Sequence, residues 1–163
     1  MSGAFSALVA SKGVVGLHVL ETSESTLCDL SWAVARDDKR AAVRTIRGSK
    51  SRTPEAFFDE VGAALQFPYY FGENWDAFAE LIGEMSWMPA QHYLLVFSSA
   101  EQILRDATAR DFTILVETLL ETREAWGDLV LHAVFQCATP EASAELRARL
   151  DATKVAYDAI EPR

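Results

Sequence analysis

Three carboxylates stand one helical turn apart in this chain: Asp76, Glu80 and Glu84. Like charges at that spacing share a helix face and repel by roughly a few tenths of a kcal/mol per pair. No Lys or Arg lies between them to relieve the repulsion. Such a stripe is a solvated face, an acid–base or metal site, or a patch for a cationic partner. Carboxylates one turn apart can share a cation, but hard-metal and di-metal sites in helical proteins recruit ligands from other elements, and a Glu-x-x-His pair is absent. No metal and no cofactor is therefore expected. His18, His92 and His132 all sit in strand-like apolar runs, where a histidine serves structure. Cys28 and Cys137 have no nearby His and no CxxC partner, so both are expected to be packing residues. The phosphate-loop pattern G-x-x-x-x-G-K is missing, and Ser31, Ser86 and Ser98 lack the G-x-S-x-G context of a hydrolase elbow. Nothing here assembles a nucleophile, a base and an anion hole, so no catalytic residue is expected and the chain reads as a binding protein rather than an enzyme.

The charge distribution favours the cationic partner. The net charge is −9 over 163 residues, a sign opposite to that of a direct nucleic-acid binder. Residues 1–52 are net positive, whereas residues 53–104 carry eight acids and no Lys or Arg. Solubility alone favours interspersed charge. A block without one compensating cation suits a surface that attracts something positive.

The elements that must position this stripe read clearly. Gly13 to Leu20 is a short, β-branched apolar run and predicts a strand. Thr22 and Ser23 offer caps for a helix through Leu27, Leu30 and Val34. Ala41 to Ile46 predicts a second strand, closed by Gly48. Thr53–Pro54–Glu55 is a helix start, with a capping hydroxyl, a proline in the first turn and a carboxylate at the positive end of the dipole. Pro68 and Gly72 break that helix, and Gly72 permits a turn. Asn74 then caps a new helix whose apolar stripe is Trp75, Phe78, Ile82 and Met85. His92 to Phe97 predicts a third strand, followed by a helix opened by Ser98 or Ser99 with Glu101 or Gln102 completing a capping box. A long amphipathic helix through Phe112, Leu115 and Leu119 ends near Gly127, and Leu129 to Phe135 predicts a fourth strand. Thr139–Pro140–Glu141 repeats the start signal, and Lys154 to Ile160 predicts a fifth strand. Strands alternating with helices argue for a parallel sheet with helical crossovers. The doubled helix between the second and third strands places Pro68 to Glu84 on the surface. Trp75, Trp87 and Trp126 fall on apolar faces and are expected in the core. Of Tyr69 and Tyr70, which flank the break, one is expected to be buried and an exposed one would make an interface anchor. No apolar run is long enough to span a membrane, and no basic run precedes the first apolar stretch, so a cytoplasmic location without membrane contact is expected.

The stretch Pro68 to Ala77, PYYFGENWDA, resembles the signature of the barstar family, the intracellular inhibitors of secreted guanyl-specific ribonucleases. That signature reads Pro, any residue, Tyr, Tyr or Phe, Gly, any residue, Asn, any residue, Asp, Ala. The resemblance extends across roughly residues 41–136. It implies an α/β fold, a barstar-like parallel sheet core with helices packed around it, extended by extra strand–helix elements at both ends. The whole of 1–163 is then expected to form a single domain, with an N-terminal extension over 1–40 and a C-terminal extension over 137–163.

The resemblance also implies a function. Members of the family lay this helix and the preceding loop into the nuclease active site, where a helix carboxylate takes the place of the substrate phosphate. Carried over by position, the partner-binding residues are Tyr70, Gly72, Asn74, Asp76 and Glu80. Glu80 stands where the family has its principal helix aspartate, keeping the charge with one more methylene. Ala79 stands where the best-known member has a tryptophan, and Thr122 falls near a further acid of that member. The expected partner is a basic, barnase-like ribonuclease. The alternative is an acidic binding module for a basic partner that is not a nuclease.

Overall fold

The computed structural model describes residues 5, 7, 8, 15–126 and 130–162, without the side chains of residue 15 and residues 122–126. Five strands form one sheet: β1 (Val15–Glu21), β2 (Ala41–Arg47), β3 (His92–Ser98), β4 (Val130–Cys137) and β5 (Asp158–Ile160). Their order is β2-β3-β4-β1-β5, and every neighbouring pair is parallel. Every described position of β3 and β4 is buried, which is why HYLLVFS and VLHAVFQC lack the in–out alternation of a one-faced strand. β1, from the N-terminal extension, is an inner strand that pairs β4 from Val15↔Leu131 to Glu21↔Cys137.

Among the described residues, these helices connect and cover the sheet: α1 (Glu24–Asp37), α2 (Pro54–Ala64), α3 (Trp75–Glu84), α4 (Ala109–Trp126) and α5 (Pro140–Thr153). α1 packs with Phe5 on one face of the sheet, over Leu20, Leu94, Val96 and Val134. On the other face α2 to α5 bury Phe57, Ile82, Leu115 and Leu146 against Tyr93, Leu95, Phe97 and Phe135. The alternating residues of β3 therefore feed two separate cores. The caps read from the sequence form: Ser23 accepts from the Thr26 N–H at 3.0 Å, and Thr139 from the Ala142 N–H at 3.1 Å.

Several expectations need correction. No α-helix opens at Ser98 or Ser99, directly after β3. Ser99 takes a left-handed φ of 45° without a side-chain cap, and Ala100–Gln102 form only a single 3-10 turn. The reason is tertiary: the Gln136 side chain accepts from the Ser99 N–H at 2.8 Å and donates to the Thr22 carbonyl at 2.7 Å, holding the chain there. Gly48 likewise does more than close β2. A Cβ on it would lie 2.2 Å from the Ser99 carbonyl oxygen, so this close approach of two backbones needs glycine. The fifth strand is shorter than expected because Lys154, at φ 63°, ends α5 in a left-handed turn. Cys137 is buried, and burial pushes its thiol up to about 12. Cys28, in contrast, is exposed on α1 and is not a packing residue, because Leu27 and Leu30 take the inward face of that helix. Trp75 and Trp87 are half-buried and pack on the edge of the core. The side chains of Trp126 and Thr122, the helix end near Gly127, and residues 13, 14 and 129 of the expected strands lie outside the described residues.

The histidines serve structure. His18 hydrogen-bonds Asp158 of β5 through Nδ1 and meets His132 Nδ1 through Nε2 at 2.8 Å. Gly16 leaves the space for this contact, since a Cβ there would approach His18 Nε2 to 3.0 Å. Burial, together with the His18 ring, pushes His132 down to about 4. His92 Nδ1 lies 2.7 Å from an Asp38 carboxylate oxygen.

Candidate functional site

The surface formed by the α2–α3 loop and the outer face of α3 is built from local rules. α2 starts at Thr53, whose hydroxyl accepts from the Ala56 N–H at 3.2 Å, with Pro54 in its first turn. It ends where Gln66 turns left-handed at φ 53° and the Phe67 N–H donates to the Gly62 carbonyl at 2.9 Å. Phe67 then drops onto Phe71 and Trp87, with ring centroids at 4.9 Å and 5.7 Å. The Phe71 N–H closes a turn on the Pro68 carbonyl at 3.0 Å. With Phe67 and Phe71 turned inward, Tyr69 and Tyr70 are left outside, 101% and 60% exposed, edge to face at 5.6 Å. Neither tyrosine is buried, because the neighbouring phenylalanines take the core positions.

Asn74 fixes the entry to α3 from both sides. Its Oδ1 accepts from the Ala77 N–H at 2.8 Å and its Nδ2 donates to the Gly72 carbonyl at 3.1 Å. The left-handed residue of this turn is Glu73, at φ 51°, and not Gly72. Gly72 matters for space: a Cβ there would come within 3.1 Å of Asn74 Nδ2. Phe78, Leu81 and Ile82 bury the inner face of α3. Trp75 leans on Phe57 and Phe58 at 5.5 Å and 4.9 Å and donates its indole N–H to Asp111 at 3.0 Å. Burial opposes ionisation of Asp111, but hydrogen bonds from Trp75 and Thr108 outweigh it and hold the carboxyl below its ordinary range.

The outer face of α3 then presents Asp76, Glu80 and Glu84, all exposed. Among the described residues no cation forms an ion pair with Asp76 or Glu80. Glu84 accepts from the Ser86 hydroxyl at 2.9 Å. The sequence block without Lys or Arg is partly compensated in space, but elsewhere. Arg47 of β2 clamps Glu60 with two bonds of 2.8 Å and 2.9 Å, holding that carboxyl below its usual range. Sequence reasoning missed that Asp59 of α2 stands beside Glu73, whose carboxyl it raises by sharing a hydrogen bond and by repulsion. The i, i+4 spacing of Glu55 and Asp59 is the signal that a second acidic row runs along α2. Tyr70, Gly72, Asn74, Asp76 and Glu80 are all exposed, Asp76 and Glu80 one turn apart on α3, with Ala79 exposed beside Glu80.

A family model described as Barstar (barnase inhibitor) matches residues 41–138. No curated protein matches the chain significantly. Among solved structures, the Aeropyrum pernix ORC2 protein in its ADP form matches with a TM-score of 0.68 at 10% identity, over 98% of this chain and 45% of that one. The same protein in ADPNP–ADP complexes matches at 0.65 and 12% identity, over 98% and 46%. A Drosophila ORC chain bound to DNA matches at 0.57 and 12% identity, over 99% and 94%. The chain spans less than half the length of the two Aeropyrum chains, and at such identities the likeness is one of fold alone.

Proposed function

The chain belongs to the barstar family, and from that premise we propose that it is a stoichiometric protein inhibitor of a basic, barnase-like ribonuclease. The observation that carries this reading is the pair of exposed carboxylates, Asp76 and Glu80, unpaired among the described residues and set beside an exposed Tyr70. A ribonuclease holds its phosphate with Arg, Lys and His, so an inhibitor must offer anionic oxygens on a scaffold with no bond to cleave. α3 supplies these on a rigid helix whose inner face is locked by Phe78 and Ile82. Tyr70 stacks into the cleft with little rotamer entropy to lose, as aromatic anchors do. Asn74 and Gly72 act through the shape of the loop. Asp76 in the first turn also steadies the helix dipole, whereas Glu80 lies beyond the reach of that effect and serves the partner. Attraction between the acidic face and a cationic cleft speeds encounter at low salt. The protein acts in the cytoplasm and catalyses nothing itself.

The test is a titration of a guanyl-specific ribonuclease with this protein, following RNA cleavage. Activity is expected to fall linearly to an endpoint at one inhibitor per enzyme. Glu80→Gln and Asp76→Asn are each expected to weaken inhibition by about tenfold or more, equivalent to about 1.4 kcal/mol. An enzyme that stays fully active at low and moderate salt removes the proposal. Capture of a basic protein that is not a nuclease would assign the same face to the alternative partner.

A further inference from the structure

The sheet face covered by α1, away from α3, borders a second surface that inhibition does not use. β2 is an edge strand, and edge strands present unpaired main-chain groups. Its outward groups are closed off at both ends. The Ala41 N–H donates to the Asp38 carbonyl at 3.1 Å, the Arg47 N–H to Glu60 at 3.0 Å, and Ser51 Oγ to the Arg47 carbonyl at 2.8 Å. The Arg44 guanidinium covers the Val43 carbonyl at 2.9 Å. Main-chain groups alternate in direction along a strand, so the N–H groups of Val43 and Thr45 and the Thr45 carbonyl point the same way as these capped groups. No described residue bonds them.

This open window borders a cavity of about 300 Å³ between β2 and α1, lined by Leu27, Cys28, Trp32, Val43 and Thr45 together with Glu24 and Arg47. Trp32 is 66% exposed, a large apolar side chain standing at the rim with no core to fill. Three cations line the strand, Lys39 before it, Arg44 within it and Lys50 after it; among the described residues none forms a salt bridge, and Lys50 acts only at longer range on Glu60, which Arg47 already clamps. In a chain of net charge −9 this is the basic margin.

We propose that the groove between α1 and the free edge of β2 binds an extended, acidic peptide segment of a partner protein, which adds a strand beside Val43–Thr45. The main-chain groups of Val43 and Thr45 set its register, one apolar side chain fills the cavity against Trp32, and its carboxylates meet Lys39, Arg44 and Lys50. Arg44 occupies the place of a partner N–H and swings from the Val43 carbonyl to a carboxylate as the strand docks. A second copy of this chain is a poorer occupant, because antiparallel pairing of two β2 strands brings the two basic margins together.

The probe is a synthetic peptide alternating Glu with Val, compared with the same peptide carrying Lys for Glu, followed by amide and indole NMR shifts. The acidic peptide is expected to bind with micromolar affinity, shifting the amides of Val43 and Thr45 and the Trp32 indole and slowing amide exchange at Val43 and Thr45. Thr45→Pro, which deletes one donor at an edge position where proline is tolerated, and Trp32→Ala, at an exposed site, should each weaken binding about tenfold. Equal binding of the Lys peptide, shifts elsewhere, or unchanged affinity in both variants overturns the proposal. Shifts at these residues that grow with protein concentration and without peptide would overturn it in favour of the second copy.

Discussion

Lowering the pH should destabilise this protein through one buried histidine before its carboxylates matter. His132 is 1% exposed, and its ring is pushed from an ordinary value of 6.5 down to about 4 by burial and by His18 at 2.8 Å. Asp158, beyond His18, pulls the other way and is outweighed. A histidine with a depressed folded value contributes stability that is fully present above 6.5 and is lost as the pH falls toward 4, because the unfolded chain takes up the proton first. The difference is worth about 1.4 kcal/mol by pH 5.5 and about 2.5 kcal/mol by pH 4.5, at about 1.36 kcal/mol per pH unit. Urea denaturation at pH 7.5, 6.5, 5.5 and 4.5 measures it directly. His132→Asn keeps an N–H that can donate to His18 Nε2 but removes the titration. Its stability should therefore vary much less over this window than that of the parent. Equal slopes for the two proteins would refute the reasoning, as would an NMR titration that places the His132 ring near 6.5.

Other consequences are equally open to measurement. Gly48→Ala drives a methyl into the Ser99 carbonyl at 2.2 Å and the Ser98 carbonyl at 2.5 Å, and should cost about 3 kcal/mol or prevent folding, read from a denaturation midpoint. Asn74→Ala removes the acceptor for the Ala77 N–H and should cost about 1 kcal/mol of stability, with nuclease inhibition weakened because the helix entry loosens. Iodoacetamide at pH 8 should modify exposed Cys28 in the native protein and spare Cys137, whose thiol is pushed up to about 12; peptide mass spectrometry showing equal modification would contradict the burial of Cys137.

What the sequence disclosed and what it hid follow from how local each feature is. Caps such as Ser23, Thr53, Asn74 and Thr139 are settled by a side chain and an N–H three residues on, and they stand where the sequence puts them. The strands of the sheet centre were legible because burial on both faces leaves continuous apolar runs. The turn after β3 was not, since Ser99 looks like a helix cap and is instead held by Gln136, 37 residues away. The exposure of Cys28 escaped for a related reason: it depends on the rotation of α1 over the sheet, which turns Leu27 and Leu30 inward instead. For the acidic strip, Asp76 and Glu80 could be placed on one helix face by spacing alone. That Arg47 would reach Glu60 but leave α3 untouched needed the packing of β2 against α2. Tyr69 and Tyr70 were ambiguous because two aromatic pairs compete for one interior, and Phe67 and Phe71 win it.

The central claim is that the carboxylates of α3 take the place of a phosphate in a nuclease active site. Competition tests it most directly: the affinity of this protein for a guanyl-specific ribonuclease, measured by calorimetry with rising concentrations of guanosine 3′-phosphate. The apparent Kd is expected to rise in proportion to the nucleotide, and the weaker binding of a Glu80→Gln variant to be displaced by the same ligand. An affinity indifferent to a saturated nucleotide site would place any contact away from the cleft and contradict it.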